Sequence, residues 1–266
     1  MAESVSLYRT MFLSDLHLGA LGCRADLVLD FLRHHRAETY VLVGDILDLW
    51  HPLLPHWTAA DQAVVDHLRN RQTEGAALIY LRGNHDPRPE AAPPHSRLSD
   101  APLDTLIHLA ADGRRYLVLH GDACDARLLR AHILTRLGSR IDHLLRRADG
   151  GLKRLRFSTR IERRGPLEAM LTSINALIYR GRRHERRLVR LAKGQGVDGV
   201  ICGHFHIAGL HRDHGLTYAN CGDWVDSFTA LAERPCGQLS LLDGRAAVPA
   251  SVPDPAPIPD FGYVRA

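Results

Sequence analysis

The 266-residue sequence is poor in cysteine and aromatic residues and has no long apolar run. Its five cysteines are widely spaced with no C-x-x-C pair, which argues against a disulfide framework or a cysteine zinc site and for a reducing compartment. No segment approaches the roughly 20 apolar residues of a membrane-spanning helix. Residues 1–10 include Glu3 and lack a long apolar run, so no signal peptide is expected. With 45% hydrophobic and 24% charged residues, the composition excludes disordered and fibrous classes.

The formal net charge of +4 hides an uneven distribution. Residues 127–193 hold 19 Lys and Arg against 5 Asp and Glu, a net +14, whereas the other residues hold 15 against 25, a net −10. The basic segment is either solvated helical surface, because arginine is a good helix former, or a patch for an anionic partner. Nucleic acid, a phosphorylated ligand and anionic lipid all have the required charge.

Short apolar runs alternate with helical patterns along most of the chain. Five runs predict buried strands, each followed by polar residues typical of a functional turn. Helices are predicted at residues 25–36 and 58–71, and further strands at 216–219 and 238–242. This alternation predicts an α/β layered fold. The five runs are Met11–Leu13, Tyr40–Val43, Ala77–Leu81, Tyr116–Leu119 and Val197–Cys202.

A central segment breaks this alternation. Apolar residues recur three or four positions apart between Leu129 and Leu144, and again between Leu167 and Ile178, as on one face of a helix. We interpret the segment as a basic helical insertion whose apolar faces either pack on the α/β body or leave an apolar groove. The predicted organisation is a core of residues 1–124 and 194–246, a helical cap insertion at 125–193, and a proline-rich, extended tail at 247–266.

Five motifs rich in oxygen and imidazole side chains follow the predicted strands. Each motif alone is weak, because a Gly-Asp pair or a lone histidine more often belongs to an ordinary turn. Together they predict a metal site, and the ligand types suit Mn²⁺, Fe²⁺ or Zn²⁺ better than Ca²⁺. Their number fits two ions, which can clamp a phosphoryl group and activate a water. The motifs are Asp15-x-His17, Gly44-Asp45, Gly83-Asn84-His85-Asp86, His120-Gly121-Asp122 and Gly203-His204-x-His206.

This motif set resembles that of the calcineurin-like metallophosphoesterases, and the resemblance covers about residues 10–225. It implies a four-layer αββα sandwich with a dinuclear metal site between the two sheets. It further implies that Asp15, His17, Asp45 and His206 bind the first metal ion, and that the second is bound by the bridging Asp45 together with Asn84, His120 and His204.

The resemblance gives the residue after Asn84 a different role. His85 is expected to contact the scissile phosphate and to stabilise charge or protonate the leaving oxygen, as the catalytic residue. The alternative is a structural histidine that orients its loop with Asp86 as partner. Asp86 is expected to orient His85 or a metal ligand. Asp122, Arg82 and Arg24 are further candidates for orienting ligands or binding substrate. Each of the two arginines could equally well be a surface charge.

The residues that flank the motifs resemble a narrower group, the UDP-2,3-diacylglucosamine diphosphatases. The similar flanks are residues 12–19, 42–50, 120–125 and 220–225. This resemblance implies cleavage of a UDP-linked glycolipid at its pyrophosphate, to UMP and 2,3-diacylglucosamine 1-phosphate, in lipid A biosynthesis. It implies two divalent metal ions, with Mn²⁺ favoured over Fe²⁺ or Zn²⁺. It also implies a cap that holds acyl chains, and a cytoplasmic protein bound peripherally to the inner membrane.

The sequence departs from the best-known branch of that group at two positions. That branch has arginine where this chain has His85, and threonine is usual where this chain has Cys221. The chain therefore resembles a second branch that keeps the Gly-Asn-His-Asp form. Cys202 and Cys221 are predicted to be small buried residues, while Trp50 and Trp224 either line the substrate cleft or pack in the core.

Other functions remain open at this point. The first is a related phosphoesterase acting on another phosphodiester, nucleotide or glycolipid precursor. A nucleic-acid phosphodiesterase or binding protein is disfavoured, and no nucleic-acid partner is expected. The basic segment offers only Phe157 and Tyr179 for base stacking, which is a poor platform. A non-catalytic scaffold is also disfavoured, because no metal-ligand position is missing.

Overall fold

The structure, a computed structural model, describes residues 6–20, 22–49, 56–122 and 183–246. Trp50, residues 125–182 of the predicted insertion and the predicted tail at 247–266 lie outside the described residues. In chain order the elements are β1 (Ser6–Leu13), α1 (Ala25–His34), β2 (His35–Val43), α2 (Ala59–Thr73), β3 (Ala77–Leu81), β4 (Thr105–Leu109), β5 (Arg115–Leu119), α3 (Arg183–Gly194), β6 (Gly199–Cys202), β7 (Gly209–His211), β8 (Thr217–Asn220), β9 (Thr229–Glu233) and β10 (Leu239–Asp243).

The described strands form two mixed sheets. The first has the order β10-β9-β1-β2-β3 and the second the order β4-β5-β6-β8-β7. In the first sheet β1, β2 and β3 are parallel, and in the second β5, β6 and β8 are parallel. Because the carboxyl ends of parallel strands share one edge, the loops after these six strands are gathered at the edges of the two sheets.

Alternating side chains build the layers, since successive residues of a strand point to opposite faces. Phe12 and Val43 of the first sheet and Val118 and Ile201 of the second meet in a buried cluster between the sheets. On its other face, the first sheet packs Leu42 and its neighbours against α1 and α2. The outer face of the second sheet packs against α3. The order of layers is thus αββα, and the predicted fold class is confirmed.

Helices α1 and α2 form for local reasons visible in the sequence. Val28, Phe31 and Leu32 lie on one face of α1 and are buried. The start of α2 is a capping box, in which Thr58 accepts a hydrogen bond from the Asp61 amide and the Asp61 carboxylate accepts one from the Thr58 amide. Helix α1 ends two residues before its predicted end, because His35 and Arg36 already belong to β2.

Helix α3 lies inside the segment that its charge assigns to the insertion. Nevertheless its buried residues Leu188, Val189 and Ala192 pack on Leu117 and Val200 of the second sheet. The described end of the basic segment is therefore part of the outer helical layer of the α/β body. None of the helices in the described part of the chain is long and apolar enough to cross a bilayer.

Candidate metal centre

All the predicted ligands lie in loops that follow parallel strands. In the first sheet, Leu13 is opposite Leu42 and Val43 is opposite Leu81, so the loops after β1, β2 and β3 are adjacent. In the second sheet, Val118 is opposite Ile201, which brings the loops after β5 and β6 together. The structure thereby collects Asp15, His17, Asp45, Asn84, His85, His120, His204 and His206 into one buried cluster.

The backbone at these positions is unusual. Six non-glycine residues in the described part of the chain have a positive φ, and five of them are predicted metal ligands. This left-handed conformation costs about 1–3 kcal/mol per residue and persists only where the surroundings impose it. Here the loops bind one another, because the amides of Asp15 and His17 donate to the carbonyls of Gly44 and Asp45. The five ligands are Asp15, His17, Asp45, His204 and His206.

Asp15, His17 and His206 form the first ligand group. The Asp15 Oδ1 atom lies 3.2 Å from His206 Nε2 and 3.8 Å from His17 Nε2. The two imidazole Nε2 atoms are 3.4 Å apart. Asp15 Oδ2 is held separately, by the Ser14 hydroxyl and the His204 amide, which leaves Oδ1 directed at the two histidines.

Asp45, His120 and His204 form the second group, with Asn84 beside it. His120 Nδ1 lies 2.9 Å from the Val43 carbonyl oxygen, so Nδ1 carries the hydrogen and Nε2 is left as the ligand atom. That Nε2 atom lies 3.2 Å from Asp45 Oδ2 and 3.2 Å from Asn84 Oδ1. Three acceptor atoms therefore converge on one point.

The charges of the cluster fit divalent cations. Burial alone would raise the pKa of Asp15, but His206 and His120 lower it to about 2. Burial would lower the pKa of His206, but Asp15 and Asp223 raise it to about 10. These shifts mean that the ionised carboxylates attract positive charge, supplied by protons on the imidazoles when no metal ion is bound. Metal ions can replace those protons.

Asp15 gives a direct test of this fit. Its Oδ1 atom is buried and makes no well-formed hydrogen bond in the described structure; its neighbours are the Nε2 atoms of His206 and His17, at 3.2 and 3.8 Å. Such a position is costly for an ionised carboxylate oxygen unless positive charge lies beside it. A cation bound between Oδ1, His17 and His206 would remove that cost. The donor set of carboxylates, imidazoles and one amide suits Mn²⁺, Fe²⁺ or Zn²⁺, so the residues present fit a pair of divalent metal ions.

His85 lies at the edge of this cluster and is held by Asp48. Its Nδ1 atom is 3.2 Å from Asp48 Oδ2, and its amide donates to Asp45 Oδ1. Burial would lower the pKa of His85, but the charge of Asp45 and the hydrogen bond with Asp48 raise it to about 9. In the metal-free cluster these two carboxylates favour the protonated imidazole, which can donate a hydrogen bond.

Asp48 is a site residue that the sequence reasoning missed. Its Oδ2 atom faces both His85 Nδ1 and His17 Nδ1, the latter at 3.5 Å. His17, Asp48 and His85 are close enough together to hold a cation. However, the Nε2 atom of His17 faces Asp15. We therefore interpret Asp48 as a residue that orients the rings of His17 and His85. The Gly44-Asp45-x-x-Asp48 spacing was the available signal, since it places a second carboxylate just beyond a ligand.

Asp86 supports the metal-binding loop instead of His85. Its carboxylate accepts hydrogen bonds from the amides of Asp45, Ile46, Leu47 and Gly83. It also accepts one from the Tyr80 hydroxyl. The alternative in which Asp86 partners His85 is therefore wrong, because the imidazole Nδ1 faces Asp48. Of the two roles expected for Asp86, the geometry supports orienting the ligand Asp45.

The other candidates have contacts of their own. Arg82 pairs with Asp104, and Arg24 with Asp26, both at exposed positions. Asp122 is half-buried after His120, and its charge helps to raise the pKa of that histidine. Trp224 is fully buried and packs against Phe31. Of its two predicted roles, the structure therefore supports packing in the core. The Trp224 amide donates to the Asp15 carbonyl.

Two cysteines behind the site are small buried residues, as predicted. Cys202 and Cys221 are both fully buried, on β6 and just after β8. Both are reduced thiols, and burial raises the pKa of Cys221 well above its usual value. The Cys221 thiol is therefore not available as a thiolate ligand near neutral pH.

Comparison with known proteins yields similar chains among both structures and sequences. Among solved structures, the chain is similar to Vps29 from Entamoeba histolytica, at 12% identity and a TM-score of 0.42, with 88% of this chain and 98% of that chain covered. It is also similar to YfcE, a phosphoesterase from E. coli, at 15% identity and a TM-score of 0.38, with 88% and 97% covered.

Curated sequences give matches of higher identity. Two proteins named UDP-2,3-diacylglucosamine hydrolase, from Neisseria meningitidis serogroup C (serotype 2a) and serogroup B, are each 24% identical over 243 residues. Each match covers 83% of this chain and 91% of the relative. Residues 8–208 match the family model of the calcineurin-like phosphoesterases. Since this match spans most of the chain and all the ligands gathered above, the protein belongs to the calcineurin-like phosphoesterase family and is a metal-dependent phosphoesterase.

Proposed function

We propose that the protein hydrolyses the pyrophosphate of UDP-2,3-diacylglucosamine, giving UMP and 2,3-diacylglucosamine 1-phosphate in lipid A biosynthesis. The observation that carries this proposal is the similarity to UDP-2,3-diacylglucosamine hydrolases over 83% of the chain. The family match at residues 8–208 includes both ligand groups. In the reaction, one water adds across the anhydride: an oxygen–phosphorus bond forms at one phosphorus, and the bond from that phosphorus to the bridging oxygen breaks.

The metal pair supplies Lewis-acid polarisation of the phosphoryl oxygens and a nucleophilic water at neutral pH. We assign the pair as Mn²⁺. Asp15, His17, Asp45 and His206 would hold one ion, and Asp45, Asn84, His120 and His204 the other. The family resemblance gives Asp45 the bridging position; its Oδ2 faces His120, and its Oδ1 accepts a hydrogen bond from the His85 amide. Asp86 keeps the Asp45 loop in place through three backbone amides, those of Asp45, Ile46 and Leu47.

His85 contributes the proton-donating group. Its Nδ1 is engaged by Asp48, so Nε2 is the atom left to meet the substrate. The hydrogen bond with Asp48 favours the protonated imidazole, which can donate a hydrogen bond to the phosphate. As the bridging oxygen accumulates negative charge, this interaction strengthens, and the proton at Nε2 can pass to the leaving phosphate.

A membrane partner follows from the nature of the substrate and from the outer face of α3. Four cations on that helix are exposed, namely Arg186, Arg187, Arg190 and Lys193, and Leu191 beside them is 44% exposed. A cationic face carrying an apolar side chain suits the surface of an anionic bilayer. The protein would therefore act in the cytoplasm, bound peripherally to the inner membrane, with the UDP-linked glycolipid as its substrate.

The substrate assignment is tested with purified protein, Mn²⁺ and UDP-2,3-diacylglucosamine. We expect UMP and the lipid phosphate in equal amounts, and no product after chelation of the metal. A simple chromogenic phosphodiester serves as the control for an intact metal centre. If that diester is cleaved while the UDP-lipid is not, the assignment is wrong and the family activity stands.

One observation favours a second substrate class. His85 occupies the position where the best-known branch of the hydrolases has arginine, so recognition of the phosphate differs here. A phosphoesterase acting on another phosphodiester, nucleotide or glycolipid precursor is the corresponding alternative. It would be supported if a panel of nucleotide and glycolipid substrates showed a higher kcat/KM for a soluble diester than for any lipid.

The membrane assignment is tested by sedimentation with vesicles of phosphatidylglycerol and phosphatidylcholine. We expect binding to the anionic vesicles that weakens as salt rises. Replacing Arg186, Arg187, Arg190 and Lys193 by glutamine should reduce it. Replacing the exposed Arg33 and Arg36 is the control, since these lie on α1 and β2. Equal binding by all three proteins would contradict a role for α3.

A further inference from the structure

A second cluster of ionisable side chains lies outside the metal centre, where α3 begins. Glu185 is buried in the first turn of this helix. Its Oε2 atom lies 2.8 Å from His214 Nε2 and 3.4 Å from His211 Nε2. Its Oε1 atom lies 4.0 Å from His184 Nε2. A buried carboxylate is stable only with such partners, so the cluster fixes the start of α3 to β7 and the β7–β8 turn.

Beside Glu185, His184 contacts a residue of the metal-binding loop. Its ring packs on that of Phe205, with the centroids 4.3 Å apart. Phe205 is fully buried and lies between two ligands in sequence. Its ring meets that of the ligand His204 edge-on at 5.1 Å. One aromatic side chain thus joins the start of α3 to a metal ligand.

Phe205 also packs under the loop after β5. A Cβ atom added to Gly121 would lie 3.1 Å from the Phe205 ring, so this loop and the ring are in close contact. Gly121 directly follows the ligand His120. Since interiors are close-packed, a shift of the Phe205 ring would be transmitted to both His120 and His204. These two histidines belong to the same ligand group.

We propose that Glu185 is a positioning residue for the second metal ion, acting through His184 and Phe205. Glu185 anchors the first turn of α3 to His211 and His214 and so holds His184 against Phe205. Phe205 in turn keeps the imidazoles of His120 and His204 in position relative to each other. Glu185 itself contacts neither metal nor substrate. This inference rests on the dinuclear centre of the proposed function and is independent of the substrate.

Loss of the Glu185 contacts should affect the binding of the two metal ions unequally. The first ligand group is oriented by other contacts: Asp48 faces His17, and Ser14 holds Asp15. His206 follows Phe205 in the chain, but its imidazole faces Asp15, His17 and Asp223, whereas the Phe205 ring contacts His204 and lies against Gly121. A less firmly held Phe205 ring should therefore weaken the binding of the second ion more than that of the first.

The experiment is a calorimetric titration of the metal-free, full-length protein with Mn²⁺. For Glu185→Gln we expect one of the two dissociation constants to rise by about tenfold, at the lower end of the effect of outer-sphere changes, and the other to change far less. His214→Gln breaks the same contact from the other side and should give the same selective loss. The matched control is Glu38→Gln, an exposed glutamate on β2, which should bind both ions as the parent does.

The melting temperature of each metal-free variant separates positioning from stability. If both dissociation constants rise equally together with a lower melting temperature, the cluster is only structural and the proposal is overturned. Unchanged binding of both ions in folded variants would overturn it as well. Should Glu185→Gln fail to fold, His214→Gln decides between these outcomes. Since no substrate is present, a failed UDP-lipid assay leaves this result unaffected.

Discussion

At the scale of single residues, Asp48 connects the two kinds of chemistry in the site. One carboxylate oxygen faces the ligand His17 and the proton donor His85. Burial would raise the pKa of Asp48, but its hydrogen bonds with these histidines lower it well below the usual value. The carboxylate therefore stays ionised and determines which nitrogen of each ring is presented to the site.

Replacing Asp48 with asparagine should test this role without creating a cavity. We expect Asp48→Asn to lower kcat for a chromogenic phosphodiester by about 10–100-fold and to weaken Mn²⁺ binding, because both rings lose the charge that orients them. Steady-state kinetics and metal titration measure the two effects. Asp104→Asn removes an exposed carboxylate that pairs with Arg82 and should change neither. Wild-type kinetics in Asp48→Asn would contradict the role.

His85 and Asp45 should separate turnover from metal binding. We expect His85→Ala to keep two bound Mn²⁺ ions and to lose turnover by about 10²–10⁴-fold, the usual contribution of a proton-transferring group. Asp45→Ala should lose metal and activity together, because Asp45 faces His120 and lies in the loop that also binds Asp15. Elemental analysis of the purified variants provides the readout. Loss of metal from His85→Ala would show that the imidazole is a ligand.

At the scale of elements, the close approach of two loops sets the geometry of the first ligand group. A Cβ atom on Gly203, just after β6, would lie 1.7 Å from Ser14 Oγ and 2.6 Å from Asp15 Oδ2. The absence of a side chain at this position therefore lets the loop after β6 reach the loop after β1. The contact also carries the hydrogen bond from the His204 amide to Asp15.

Gly203→Ala should therefore push the two loops apart. We expect a loss of about 1–3 kcal/mol in the free energy of unfolding, measured by urea titration, and weaker Mn²⁺ binding. The control is Gly194→Ala at the end of α3, where a Cβ atom meets nothing within 4 Å. That variant should change stability by less than about 1 kcal/mol. Equal effects of the two substitutions would exclude the steric explanation.

The elements that could be predicted are those with uninterrupted apolar runs. β1, β2, β3, β5 and β6 are buried at their carboxyl ends, so their runs are continuous and their ends mark the ligands. β4, β7 and β9 were missed for different reasons. β4 exposes alternate residues, β7 has three residues, and the Ala-Leu-Ala-Glu of β9 has the composition of a helix. Strand pairing overrides that helical propensity.

The same distinction applies to the site. The residues that gather in the two candidate ligand groups could be picked out because each motif follows its strand within a few residues. Glu185 and the histidines it faces could not, because the contact joins α3 to β7 and the turn after it, 26 to 29 positions away in sequence. Only the packing of α3 on the second sheet brings them together, and no local pattern encodes that packing.

At the scale of the whole molecule, a buried carboxylate joins the two sheets. Glu233 of β9 accepts hydrogen bonds from Arg9 and Thr10 of the first sheet. It also accepts one from the Ala111 amide, beyond β4, and its Oε2 atom lies 2.8 Å from His108 Nε2 on β4. Burial would raise the pKa of Glu233, but these donors lower it from 4.5 to about 2.

This shift predicts a specific loss of stability in acid. The folded protein keeps Glu233 ionised down to about pH 2, whereas the unfolded chain protonates it near pH 4.5. The stabilisation, of the order of 3 kcal/mol, is thus complete above about pH 4.5 and is lost as the pH falls toward 2. Glu233→Gln lacks this titration, so it should be the less stable protein at pH 7, and the difference should narrow below about pH 4.5.

Urea unfolding of the metal-free proteins between pH 7 and pH 3 measures that difference. The carboxylates of the metal centre titrate in both chains and cancel in the comparison, which leaves the contribution of Glu233 alone. Glu38→Gln, an exposed change of the same kind, should follow the parent at every pH. A gap between Glu233→Gln and the parent that stays constant down to pH 3 would mean that the contacts of Glu233 stabilise the sheet interface without depending on its charge.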